Sequence, residues 1–174
     1  DLLDRHSVDW DHATSEELDR LNIRDETRRK KVIELFMAQE IKDPLDFHYA
    51  ALIMQHGTIS SDFKIAHEFA EHALSLGDET AKWLYAATLD RWLLSDGNAQ
   101  RYGTQFKKNE LGEWEQAQPI DPLVTDEERA IYDVPPLKNA LEIYLKKYRA
   151  NTTLLYSTLR LEDSSQNGRR ALKL

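Results

Sequence analysis

The sequence predicts a mainly α protein, one compact antiparallel helical domain with a single small β-hairpin near residues 102–118. Three observations carry that expectation. Apolar residues recur at helical spacing through most of the first hundred residues. Gly57, Gly77 and Gly97 lie 20 residues apart, each just after an apolar helical segment, where glycine ends a helix cheaply. After the third glycine, aromatic and β-branched residues flank one Asn-Glu-Leu-Gly turn signal.

The chain divides into an acidic N-terminal segment at 1–13, a helical domain with its hairpin at 14–149, and a C-terminal tail at 150–174. Thr14 with Glu17 forms a capping box and opens a short helix to about Asn22. A second, amphipathic helix is expected over 25–41, with Arg28, Arg29, Lys30 and Lys31 solvated near its start. Helices at 45–56, 62–76 and 79–96 follow, each closed by one of the spaced glycines. Short links between them imply antiparallel neighbours, and Ala66, Ala70, Ala73, Ala81, Ala86 and Ala87 allow close packing. The pair 62–96 resembles a tetratricopeptide or Sel1-like helical pair, although one pair is too few for a solenoid. Strands are expected at 102–107 and 113–118, ended by Pro119 and Pro122. Thr125 with Glu128 is a second capping box for a helix to about Tyr132. Pro135-Pro136 breaks that helix, and a last amphipathic helix runs to about Arg149.

Composition bounds the function. With 174 residues, 23 Lys plus Arg and 31 Asp plus Glu, the chain has a formal charge of −8. One domain of this size buries roughly 70% of its unfolded surface. The acidic balance argues against nucleic acid, because phosphate contacts need a basic field. No apolar run approaches the ~20 residues that span a bilayer, so no membrane partner is expected. The absence of cysteine excludes disulfides, Cys-ligated zinc, iron–sulfur clusters and a cysteine nucleophile. The opening DLLDRHSVDWDH is no signal peptide, which makes a cytoplasmic location the default; a removed leader would also leave Asp1 first, so secretion stays open. Asn151-Thr152-Thr153 matches a glycosylation sequon that matters only on a secretory route.

Polar residues on apolar helices mark the candidate site. On helix 45–56, His48 and Gln55 are seven apart, about 20° on a helical wheel, with His56 about 80° from His48. Apolar residues surround them, and an unpaired buried polar group costs on the order of 1–3 kcal/mol. On helix 79–96, Asp90 falls among Ala86, Leu94 and Trp83, where a carboxylate must be paired or have a raised pKa. Arg91 follows it. Gln100, Tyr102, Thr104 and Gln105 then supply amides, a phenol and a hydroxyl, with Gly103 permitting close backbone approach. The first and third glycine-closed helices end on the same side, so the Gln55-His56, Asp90-Arg91 and Gln100–Gln105 groups are expected to converge. His67-Glu68-x-x-Glu71-His72 resembles a zinc-protease helix, but its two histidines are five apart, about 140° on the wheel. They cannot ligate one metal together and are expected to be solvated. No metal and no cofactor is predicted.

The order Asp25-x-x-Arg28, Gln55-His56, Asp90-Arg91, Gln100-x-Tyr102-Gly103-Thr104-Gln105, Pro119-Ile120, Asp126-x-x-Arg129 and Pro136-Leu137 resembles a family of small, mainly bacterial proteins classed only as a domain of unknown function. The resemblance spans about residues 20–137. It implies a mostly helical fold and a shared polar site, with no activity to carry over.

Two function classes stay open. The first is a module binding a small polar molecule or a peptide or protein, with His48, Gln55, Arg91, Gln100, Tyr102, Thr104 and Gln105 as binding residues. The alternative is a metal-independent enzyme acting on a small amide- or carbonyl-containing substrate. There His56 is the general base, a role His48 could also fill, and Asp90 orients it.

Overall fold

The structure, a computed structural model, describes Val8 and residues 12–147. The chain is mainly helical with one small antiparallel hairpin. Helix α1 spans Ser15–Met37. Thr14 and Glu17 form the expected reciprocal capping box at its start. It is one helix where the sequence suggested two. Asp25 does not cap a new helix but sits buried inside α1, paired with Arg28 one turn on at 3.2 Å.

Helices α2 (Pro44–Met54), α3 (Ser60–Ser75) and α4 (Lys82–Ser95) follow, with a 3₁₀ turn at Glu79–Ala81 leading into α4. Their side-chain pairs fix the directions. Early α2 meets late α3, since Phe47 contacts Phe69 and His72. Early α3 meets late α4, since Arg91 lies over the Phe63 ring and Lys64 over that of Trp92. The three therefore alternate in direction, and the C-terminal ends of α2 and α4 lie side by side, joined by Arg91.

The core between these helices is built from Phe47, Ala50, Ala51, Met54, Phe69 and Leu84 with an alanine stripe. Ala66, Ala70 and Ala73 are completely buried, so α3 approaches its neighbours closely on that side. Each fully buried large side chain contributes roughly 1.5–3 kcal/mol. A second cluster joins Ala86 of α4 to Tyr102, Val124 and Val134, which ties the hairpin region to the helices.

Two of the three spaced glycines behave as expected. Gly77 and Gly97 have φ of +97° and +76°, the left-handed conformation that terminates helices at little cost to glycine. Gly57 is different. It is not among the positive-φ glycines. A Cβ there would come within 2.1 Å of the Asp62 Cβ, so this glycine serves close packing of the α2–α3 turn.

The hairpin is shorter than its sequence pattern. Strands β1 (Phe106–Lys108) and β2 (Trp114–Gln116) pair with Phe106 opposite Gln116. Asn109 organises the turn by accepting the amides of Leu111 and Glu113. Residues 102–105 lie outside the ladder because their amides go elsewhere. Helix α5 (Asp126–Ile131) starts at the Thr125 cap, and a final helix α6 occupies the described residues 137–147. The C-terminal tail at 150–174, with its sequon, and most of segment 1–13 lie outside the described residues.

Candidate functional site

Asp90 is the centre of the polar network. It is fully buried on α4. One carboxylate oxygen accepts the backbone amides of Arg101 and Tyr102 at 2.6 and 2.8 Å. The other accepts the amide and hydroxyl of Thr104 at 2.9 and 2.8 Å. Burial pushes this carboxyl above its ordinary value, against the hydrogen bonds, which pull it down. Chemically the arrangement is a clamp. An acceptor with several lone pairs is inserted into a loop whose amides have turned away from any strand.

The glutamines extend it. Gln100 is fully buried. Its amide donates to the Ala117 carbonyl and its side-chain oxygen accepts the Gln105 amide. Its backbone bonds Pro119 and Asp121 in a single parallel bridge opposite Ile120. Gln105 donates to the Ala87 carbonyl on α4 and to the Thr104 hydroxyl, both at 3.0 Å. Gln116 reaches the Gly103 carbonyl, and buried Arg129 binds the carbonyls of Tyr102 and Val124. Tyr102 packs its ring on Tyr132. Burial, reinforced by that neighbouring phenol, pushes its hydroxyl above the usual range.

A second set of contacts closes α2. The exposed carbonyls at a helix C-terminus favour cations. Arg91 donates to the Gln55 carbonyl at 3.2 Å and Arg29 of α1 to the His56 carbonyl at 2.7 Å. Arg29 also approaches Asp62 at 3.6 Å. Gln55-His56, Asp90-Arg91 and the 100–105 string are thus linked, mostly through backbone groups. Gln55 and His56 enter by their carbonyls and Arg91 by its guanidinium. His48 stands apart, seven residues or about 10 Å back along α2, where its Nδ1 meets Asp78 at 2.6 Å.

Two concave surfaces lie beside this network. A groove of about 990 Å³ runs between α1 and the α2–α3 turn. Its apolar lining is Ile23, Ile33, Met54, Ile59 and Ile65. A much smaller pocket of about 60 Å³ is walled by Trp83, Phe106, Val134 and Tyr144, with Gly103 and Thr104 at its edge. Neither of these two brings His56, Asp90 and Gln105 together. Among the described residues, no group of three His, Asp or Glu side chains could hold a metal ion, and no helix is long and apolar enough to cross a membrane.

Sequence reasoning missed His67. It is not solvated but buried, its ring 4.6 Å from that of Tyr85 and 6.0 Å from that of Trp92. Burial lowers its pKa from the usual 6.5, against the Tyr85 carbonyl and the nearby Glu71 and Glu68. The signal was the alanine stripe: His67 lies three residues before Ala70 and next to Ala66, on the packed side of α3. Asp78 was missed as well, because nothing in its sequence neighbourhood pairs it with His48.

No protein-family model, curated protein or solved structure matches this chain.

Proposed function

We propose that this protein is an interaction module that takes an amphipathic, basic helical segment of a partner protein into the groove between α1 and the α2–α3 turn. The observation that carries the reading is the groove's composition. Its apolar side chains include Ile23 and Ile59, 64% and 59% exposed. They lie among Asp19, Glu26, Glu34 and Asp62, with Arg29 and Lys30 also in the lining and Lys31 paired to Glu34. Four acids against three bases, Lys31 included, leave the groove net acidic, which favours a cationic ligand, in line with the charge of −8. A helix laid in a groove offers apolar anchors at i, i+3, i+4 and i+7. On α1 the groove residues Asn22, Ile23, Glu26, Arg29, Lys30 and Ile33 follow the same spacing. The likeness of the helical pair to tetratricopeptide-type scaffolds points the same way. In this reading the polar residues Asp90, Gln100, Thr104 and Gln105 hold the scaffold, since their hydrogen bonds go to their own chain. That is why we favour binding over catalysis by His56 and Asp90.

The test is titration with a fluorescent Leu/Lys amphipathic peptide of about 18 residues, long enough for five helical turns. Binding is expected. Ile23→Ser with Ile59→Ser should weaken it roughly tenfold or more, the loss of apolar burial worth about 1.4 kcal/mol or more. Both changes leave net charge untouched, so a peptide held only by diffuse charge binds the variant equally well. That result, or no binding at all, overturns the proposal.

A further inference from the structure

The pair His48 and Asp78 is not used by the groove. Asp78 is buried, its side chain only 7% exposed, in the loop after α3. One of its oxygens accepts the amide and hydroxyl of Thr80, which pins the carboxylate. The other meets His48 Nδ1 at 2.6 Å. A carboxylate only accepts hydrogen bonds, so the Nδ1 carries a proton, and in the tautomer this fixes, the lone pair lies at Nε2. Nε2 has no hydrogen-bond partner among the described residues, and it is not a buried atom. The His48 side chain is 16% exposed. A histidine fixed in tautomer and orientation by a buried acid, with the opposite nitrogen open to solvent, is the arrangement of a general base.

We propose that His48 is a general base for hydrolysis of a small uncharged ester, with Asp78 as its positioning residue. The surroundings select the substrate's charge. Asp78 supplies a fixed negative charge and the nearby Lys82 is engaged by Glu79, so the pair disfavours a phosphate. The exposed Tyr49 ring lies 5.9 Å from the imidazole and offers an apolar wall for the acyl or leaving group. In the step, Nε2 takes a proton from water as the water oxygen bonds to the acyl carbon. The ester C–O bond breaks and its electron pair leaves with the alkoxide or phenolate. The proton then passes from Nε2 to that leaving group or to solvent, which restores the base. Asp78 keeps the Nδ1 hydrogen bond throughout and balances the imidazolium formed in between.

The experiment uses p-nitrophenyl acetate, followed by release of p-nitrophenolate. The wild-type protein should hydrolyse it faster than His48→Gln by about a hundredfold or more, the low side of what general-base catalysis contributes. Glutamine retains a donor for Asp78, so the fold is kept. His72→Gln, which removes an exposed imidazole elsewhere, should leave the rate unchanged. Asp78→Asn should slow hydrolysis as well, and ring-nitrogen NMR of His48 should lose the single Nδ1–H tautomer seen in the wild type. Free imidazole should restore hydrolysis to His48→Ala beyond its own background, a rescue that a purely structural histidine does not show. Equal rates for wild type and His48→Gln overturn the proposal, as does a wild-type His48 protonated at Nε2.

Discussion

At the residue scale, burial and hydrogen bonding assign Asp90 its work. Three backbone amides and a hydroxyl converge on one carboxylate inside the protein. Asn in its place keeps a single acceptor oxygen and turns an NH₂ group toward donors. Leaving a buried donor without an acceptor costs about 1–3 kcal/mol. Asp90→Asn should therefore destabilise the fold by about 3 kcal/mol in urea denaturation, with the groove of α1 unaffected. His67 gives a pH signature. Its folded-state pKa lies below the usual value because burial opposes charging. As pH falls below about 6.5 the unfolded chain binds a proton that the folded chain does not, so stability is full above that value and declines as pH falls toward the folded-state pKa. His67→Gln should remove this part of the slope in denaturation curves taken between neutral and mildly acidic pH. Asp78, held below the ordinary carboxylate range because the Thr80 and His48 hydrogen bonds outweigh burial, adds a separate loss at still lower pH.

At the element scale, the end of α2 rests on two arginines from two different helices. Arg29→Met should cost about 1–2 kcal/mol, as a charged hydrogen bond to a helix C-terminus is lost, measured by thermal or urea unfolding. Gly57→Ala should be destabilising by about 1–3 kcal/mol, because the new Cβ displaces Asp62 from Arg29 and the Thr58 amide. The helices, their order and the hairpin were legible in the sequence because apolar spacing and caps are local. The break within α1 was misread although the contact that decides it is local. Asp25 followed by a basic run looks like a helix start, yet its buried pairing with Arg28 continues the helix. The hairpin lost its first residues to a contact that is not local. Tyr102 and Thr104 have strand character, but a carboxylate 12 to 14 residues earlier takes their amides. Of the polar string, the partners were not legible, since many are backbone atoms without any side-chain code and the Asp90 carboxylate lies on another element. His67 was hidden by its charged neighbours, although its place beside the alanine stripe was in view.

At the scale of the whole molecule, two clusters share α4. One faces α2 and α3 through Leu84, and the other faces the hairpin region through Ala86. The groove and the His48–Asp78 pair lie on the first, whereas the Asp90 clamp joins the second to it. The clamp also bears on motion in time. Irregular loops ordinarily exchange their amide hydrogens with solvent within seconds to minutes, through small local openings. The amides of Arg101, Tyr102 and Thr104 open singly at a penalty, because each release takes a donor from a buried carboxylate. They should trade hydrogen for deuterium as slowly as the middle of α4, at a rate set by unfolding of the entire chain. In a deuterium-exchange map, a segment without regular secondary structure would then stand among the last to be labelled, and Asp90→Asn would move it among the first.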